Sequence, residues 1–380
     1  MKVEQHIFHP PHEEVGLRAL NNIFQRMQID TEWSVRGERS FSWWAKDFVQ
    51  HITVTEPVKS GDFLVSRLIA VTPIVEGVDV TENAYHLINV PNAYFGTLSA
   101  LVLGQDGVVR YVAATTVHEQ MLEFVSHFFS FIAAMQVTDA HIKAPFYAEM
   151  LKGRQALSAH PTSGLRLDFG HDCLDIIEHL IVPHGKGPSA WAGSDMLDTL
   201  ALLERYSMIA TGDEQGLVAE FPYHDSSSLL TFDTDRVHPQ VGHGLHVSLK
   251  VPDNVFPRSA SVAAGLLNQM EALPELLNKF YGTWCAGPNG DLTFSAFYPN
   301  ALFHPGKGKN IALAMARRAE WIACLTDKRS REARWKTARS SVQAIVEDAT
   351  NGHACGNASA RTQRDFHENH SHFKQQPWIN

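Results

Sequence analysis

Two segments about half the chain apart read alike. YFGTLSALVLGQDGVVRYVAA spans residues 94–114 and FYGTWCAGPNGDLTFSAFYPN spans 280–300. Each opens on an aromatic residue, Gly and Thr, runs through a short apolar stretch to a turn ending in Gly, and enters a second apolar stretch. That is the pattern of a β-hairpin. Gly96 and Gly282 match at a separation of 186 (282 − 96), and the turn glycines Gly107 and Gly290 at 183 (290 − 107), a difference that a hairpin tip can take up. An internal repeat constrains a fold more than composition does, because each copy must build the same unit.

The flanks follow the same order. A helical stretch precedes each hairpin (80–90 and 260–273), and a strongly apolar helix follows it (119–135 and 309–325). In the first of these following helices Met121, Phe124, Val125, Phe128, Phe129, Ile132 and Met135 share a face; in the second, Ile311, Met315, Ile322 and Leu325 do. Strand-like runs lie upstream, at 63–75 and 244–251, while 34–62 has weak periodicity and leaves the strand count of the first copy open. Each copy opens on an amphipathic helix, 13–28 and 194–207, the second with Ser194 as a plausible N-cap. Helices and strands are segregated, without the strict alternation of a parallel sheet. The expectation is therefore an α+β fold of two tandem related copies, each an antiparallel sheet flanked by helices.

On this reading residues 1–150 form the first copy, 151–193 a connector with a short helix (173–182), 194–327 the second copy, and 328–380 a basic segment and polar tail. The length of 380 residues and 44% hydrophobic content suit two cores. A net charge of −9 argues against nucleic acid as partner. There is no run of about 18 apolar residues to span a membrane and no signal-like N-terminus. Cys173, Cys285, Cys324 and Cys355 form no CxxC pair and read as reduced thiols, Cys285 and Cys324 as core residues, which points to the cytoplasm.

The tandem pattern resembles YbjN-like domains, which share the fold of type III secretion chaperones. IVPHGKGPSAWAG (181–193), ATGDEQGLVAEFPY (210–223), HPQVGHGLHVSL (238–249) and YPNALFHPG (298–306) are similar to segments of tandem proteins of actinobacteria. The resemblance covers about 15–327 and is stronger in the second half. It implies a non-enzymatic protein- or peptide-binding role, chaperone-like or regulatory, with the chaperone dimer built as a pseudo-dimer inside one chain; further homodimerisation stays open.

The residues identify no catalytic set, no cofactor fingerprint and no metal site. His367, His370 and His372 lie in a polar tail without the rigid scaffold a site needs, and His238, His243 and His246 do not have the HExxH spacing. No GxSxG elbow is present. HPGKGKN (304–310) enters the last helix, so Lys307 and Lys309 are candidates for anion binding at a helix N-terminus. FSWWAKDF (41–48) alternates so that Phe41 and Trp43 share one face of a strand and Trp44 the other; one of Trp43 and Trp44 is expected to be exposed or at an interface, as a partner-binding anchor. The alternative function is an enzyme or small-ligand binder whose pocket lies between the copies.

Overall fold

The computed structural model describes residues 14–167, 187–205, 209–223, 226–252, 259–274, 276, 279–287 and 290–326. These all fall in one compact unit, Met1–Arg334; the second unit, Trp335–Asn380, lies outside the described residues, as does the helix-like run 173–182.

The chain begins with α1 (Val15–Arg26), whose Val15, Ala19, Leu20, Ile23 and Phe24 recur at helical spacing and are buried. Five strands follow: β1 (Ser34–Arg36), β2 (Ser40–Trp44), β3 (Val49–Val54), β4 (Val58–Ser60) and β5 (Phe63–Glu76). Then come α2 (Glu82–Phe95), the hairpin β6 (Ala100–Leu103) and β7 (Val109–Val117), α3 (Leu122–Leu151), and the short β8 (Arg154–Gln155). The second half runs α4 (Ser194–Arg205), β9 (Ile209–Gly212), β10 (Gly216–Tyr223), β11 (Ser226–Asp233), β12 (Gly244–Lys250), α5 (Ala260–Glu271), the hairpin β13 (Thr283–Ala286) and β14 (Leu292–Pro299), and α6 (Lys307–Thr326). The weakly periodic 34–62 thus supplies four short strands.

Both sheets are antiparallel throughout. The first has the order β1-β2-β3-β5-β7-β6, with β4 and β8 added against β5; the second has β9-β10-β11-β12-β14-β13. Leaving out β4 and β8, the two orders are the same strand for strand. The α+β class is therefore established, as two antiparallel sheets with six helices among the described residues.

The two hairpins pair in the same register at a constant offset. Leu101 faces Tyr111 and Trp284 faces Phe294, each pair 183 residues from its counterpart (284 − 101, 294 − 111). Gly107 and Gly290 keep that offset, both with positive φ, at the tips. Gly96 and Gly282 do not. Gly96 ends α2 in an extended conformation at φ −68, whereas Gly282 has φ 122 beside β13; Ser99 (282 − 183) takes the corresponding place. The aromatic–Gly–Thr likeness is therefore out of register by three residues.

An asparagine braces the outer strand of each hairpin. Asn92 of α2 donates to Leu101 O (3.0 Å) and accepts from Leu101 N (2.9 Å); Asn268 of α5 does the same with Trp284, at 2.9 and 2.8 Å. An edge strand's unpaired amide and carbonyl are thereby satisfied by one side chain, which costs little where a bare edge would cost a good deal.

The two halves are joined reciprocally. Phe280 exchanges two backbone hydrogen bonds with Ala114 of β7 (2.7 and 3.1 Å), and Phe297 of β14 donates to Thr97 O (3.1 Å). The same 183-residue offset relates these contacts (297 − 114, 280 − 97). Asn89 of α2 reaches Ala286 of β13, and Gln269 of α5 reaches Leu103 of β6; Leu103 and Ala286 are again 183 apart. Between α2 and α5 the ring of Tyr85 lies against Gly265, where a Cβ would stand 2.3 Å from Cδ1, so only glycine admits this approach.

Helix α3 continues sixteen residues past the expected end at 135, through Pro145. A proline costs a helix interior about 3 kcal/mol. The added turns offset this by burying Ala140, Ala144, Tyr147, Ala148 and Leu151 in one cluster with Ile74, Val75, Val78 and Leu103. Glu119–Leu151 is long and apolar enough, by length and composition, to cross a membrane, and 72% of its most apolar window is buried inside the structure. Ser126, Ser130, Gln136 and Asp139 interrupt the apolar run, so a search for unbroken stretches passes over it.

The first half also extends past residue 150. Strand β8 pairs β5, and residues 156–167 cover the sheet beside Trp44. At the other end of the connector, Trp191 docks on the second half, with its indole N–H to Pro299 O (3.4 Å).

Between α5 and β13, Lys279 is held by a buried ion pair. Arg318 of α6 donates to both oxygens of Glu271 (2.7 and 2.6 Å), Trp284 Nε1 donates to Glu271 Oε1 (2.7 Å), and Arg318 also donates to Lys279 O (2.6 Å). From the first half, the buried Arg67 of β5 donates to the carbonyls of Glu271 and Leu276. Removing one partner of such a pair strands the other charge in the interior. Glu271→Ala should lower the unfolding free energy in urea by about 3–5 kcal/mol, and Glu271→Leu with Arg318→Met should recover most of that. A loss under about 1 kcal/mol for Glu271→Ala would mean that the pair does not hold Lys279.

A candidate ligand cleft between the halves

The helix N-terminus picked out by HPGKGKN is already occupied by the chain itself. The buried carboxylate of Asp195, in α4, accepts from the amides of Gly306 and Gly308, the second at 3.0 Å, and so supplies the anion that a helix start favours. Gly308 must be glycine, because a Cβ would lie 2.5 Å from Thr199 Oγ1 and 2.7 Å from Asp195 Oδ2. Lys309 turns away and pairs with Asp198 (2.8 Å). Lys307 does neither: its Nζ sits 3.4 Å from the centroid of the Phe124 ring, a cation–π contact across the halves.

That contact forms part of the wall of a solvent-open cleft. Met121, Phe124 and Phe128 come from the first half. Trp191 comes from the end of the connector, and Lys279, Tyr281, Tyr298, Lys307, Asn310, Ile311, Ala314, Met315 and Arg318 from the second half. The rings form a chain: Phe124 to Phe128 at 5.4 Å, Phe128 to Tyr281 at 4.8 Å, and Tyr298 to Trp191 at 5.9 Å between centroids. Trp191 is held in place from below, since Asn300 accepts from Ala190 N and donates to Pro188 O.

Burial raises the phenols of Tyr281 and Tyr298 well above their ordinary range, so both are neutral donors. The Lys279 ammonium is pushed down to about 8, first by burial and then by the charges of Lys307 and Arg317. Burial also lowers Lys307. Two cations in an apolar setting oppose one another, and an anion entering between them relieves both. The groups lining the cleft are aromatic, aliphatic, amide and cationic, a set suited to grip an apolar body bearing a negative group.

Trp43 and Trp44 are both buried, at 1% and 5% exposure, so neither stands at the surface as an anchor. The alternation is as expected, but both faces of β2 are covered. Trp43 turns inward to Gln50 (2.8 Å), which in turn donates to Ala133 O of α3. Trp44 is capped by the strap after β8, through Ser158 Oγ (3.2 Å), the ring of His160 and an Arg166 hydrogen bond to its carbonyl.

Among the described residues no group of three or more His, Cys, Asp or Glu could hold a metal; His367, His370 and His372 lie outside them. His246 is pushed down to about 4 by burial and then by Arg236, whose Nη1 is 2.9 Å from Nε2. Cys285 is buried with its thiol raised to about 12, an inert group. Cys324 is exposed, contrary to its reading as a core residue, because α6 turns Ile322 and Leu325 inward and Cys324 outward.

No family model matches the chain, and neither a curated protein nor a solved structure matches it.

Lys307 was legible because a glycine-rich loop before a helix marks it. Lys279, Phe128, Tyr281 and Tyr298 were not, since each sits in an apolar run that reads as core. In a ¹³C-lysine NMR titration Lys279 should lose its proton near 8, and Lys307→Gln should raise that midpoint by removing a like charge. A Lys279 midpoint near the ordinary 10.5 would contradict the burial and charge argument.

Proposed function

We propose that this chain is a non-enzymatic protein- or peptide-binding module, chaperone-like or regulatory, descended from a duplicated α+β unit of the YbjN-like, type III chaperone-like kind. The observation that carries this reading is the cleft. It exists only where both halves meet, and it combines aromatic and aliphatic walls with cationic groups. A segment of a partner chain needs that mixture, with apolar side chains seated in a groove and a charge fixing direction. The duplication is supported by the shared strand order, by the paired Asn92 and Asn268 braces, and by the reciprocal Ala114–Phe280 and Thr97–Phe297 contacts. On this reading the pseudo-dimer is internal, no nucleic acid is bound, and the protein works in the cytoplasm, where a buried thiol such as Cys285 stays reduced.

A second reading, a small-ligand binder or an enzyme with its pocket between the copies, draws on the same cleft and on the low-titrating Lys279. The two readings separate on what the cleft holds. Ala314 lines it from α6, and Ala314→Trp would fill it. Displayed peptide libraries panned on the full chain should yield binders that lose about tenfold in affinity, ~1.4 kcal/mol, on Ala314→Trp. The melting temperature of the variant should stay within a few degrees of wild type. Failure to enrich any peptide, or binders indifferent to Ala314→Trp, would contradict the reading.

A further inference from the structure

Several of the charges around the cleft are paired. Arg318 is neutralised by Glu271, Arg18 by Glu119, Arg26 by Glu123 and Lys309 by Asp198. Lys279 and Lys307 have no carboxylate partner among the described residues. The nearby helix start does not need an external anion, since Asp195 fills it. Two ammonium groups without an ion-pair partner among the described residues therefore line one cleft.

We propose that the cleft selects an acidic peptide segment: an Asp or Glu carboxylate set against Lys279 and Lys307, with a neighbouring aromatic or aliphatic side chain against Phe128, Tyr281 and Met315. This rests on the peptide-binding reading above and adds its chemistry. Charge complementarity decides the sign of the ligand. The apolar walls raise the strength of that charge pairing by excluding water. The cation–π hold of Phe124 on Lys307 positions that ammonium in advance, so less side-chain freedom is lost on binding.

The test uses the full chain at pH 7 and three capped nonapeptides that differ at the centre, Glu, Gln or Lys, between Phe and Leu residues, measured by titration calorimetry. The Glu peptide should bind about tenfold tighter than the Gln peptide, and the Lys peptide weaker still. In Lys279→Gln and in Lys307→Gln that preference should collapse to within about threefold while the Gln peptide's affinity holds. Lys309→Gln, whose ammonium is engaged by Asp198, should keep the full preference, and thermal melts check that each variant is folded. Equal binding of the Glu and Gln peptides, both weakened by Ala314→Trp, would overturn the acidic preference and leave the peptide-binding reading standing. Binding of phenylacetate with no binding of any peptide would overturn both, in favour of a small anionic ligand.

Discussion

A carboxylate–guanidinium pair with almost no exposure to water, Glu271 with Arg318, organises the middle of this molecule. Desolvating two charges is expensive, and their attraction repays it only when geometry is good and the remaining donors and acceptors are met. Here they are met. Glu271 also takes the Trp284 indole N–H, and Arg318 takes the Lys279 carbonyl and lies 3.7 Å from the Phe294 ring centroid. Arg67, from the first half, closes the network on the carbonyls of Glu271 and Leu276. Leu276 and Lys279, between α5 and β13, are tied down as a result. Phe280 then bridges to Ala114, while Lys279 and Tyr281, on either side of it, line the cleft.

The likeness between the halves lies in the strand order, in backbone contacts and in small polar braces. Asn92 and Asn268 play one role, and Ala114–Phe280 and Phe297–Thr97 are one contact made twice. The ion pair has no counterpart at the matching position of the first half. Counting three residues on from each asparagine gives Glu271 in the second half and Phe95 in the first, which carries no charge. The first half instead invests in length, with β4, β8, the long α3 and the strap over Trp44.

Much of the architecture could be read from periodicity. The six helices, the long strand at 63–76 and the hairpin tips at Gly107 and Gly290 follow from apolar spacing and from a glycine's tolerance of positive φ. What could not be read depends on contacts distant in sequence. No local pattern distinguishes Asn92 from any other helical asparagine, or says that Asp195 lies 111 residues from the Gly306 amide it caps. The expected anion site at the last helix was sound in its physics, yet the anion is internal. The tryptophan reading failed for a related reason: alternation tells which residues share a face, and says nothing of a strap arriving from residue 158 to cover the second one. Pro145 shows propensity overridden by burial.

The shared cleft requires that the two halves open and close as one body, since a cleft between independently opening halves would have no fixed walls. Native-state hydrogen exchange measures this directly at three amides that bond across the halves: Ala114, Phe280 and Phe297. If the halves are one cooperative unit, these amides exchange with the same free energy as the central β5 and β12, the global unfolding value. If instead the three exchange through a low-energy opening while β5 and β12 stay protected, the halves part without unfolding, and the shared cleft is not a built site.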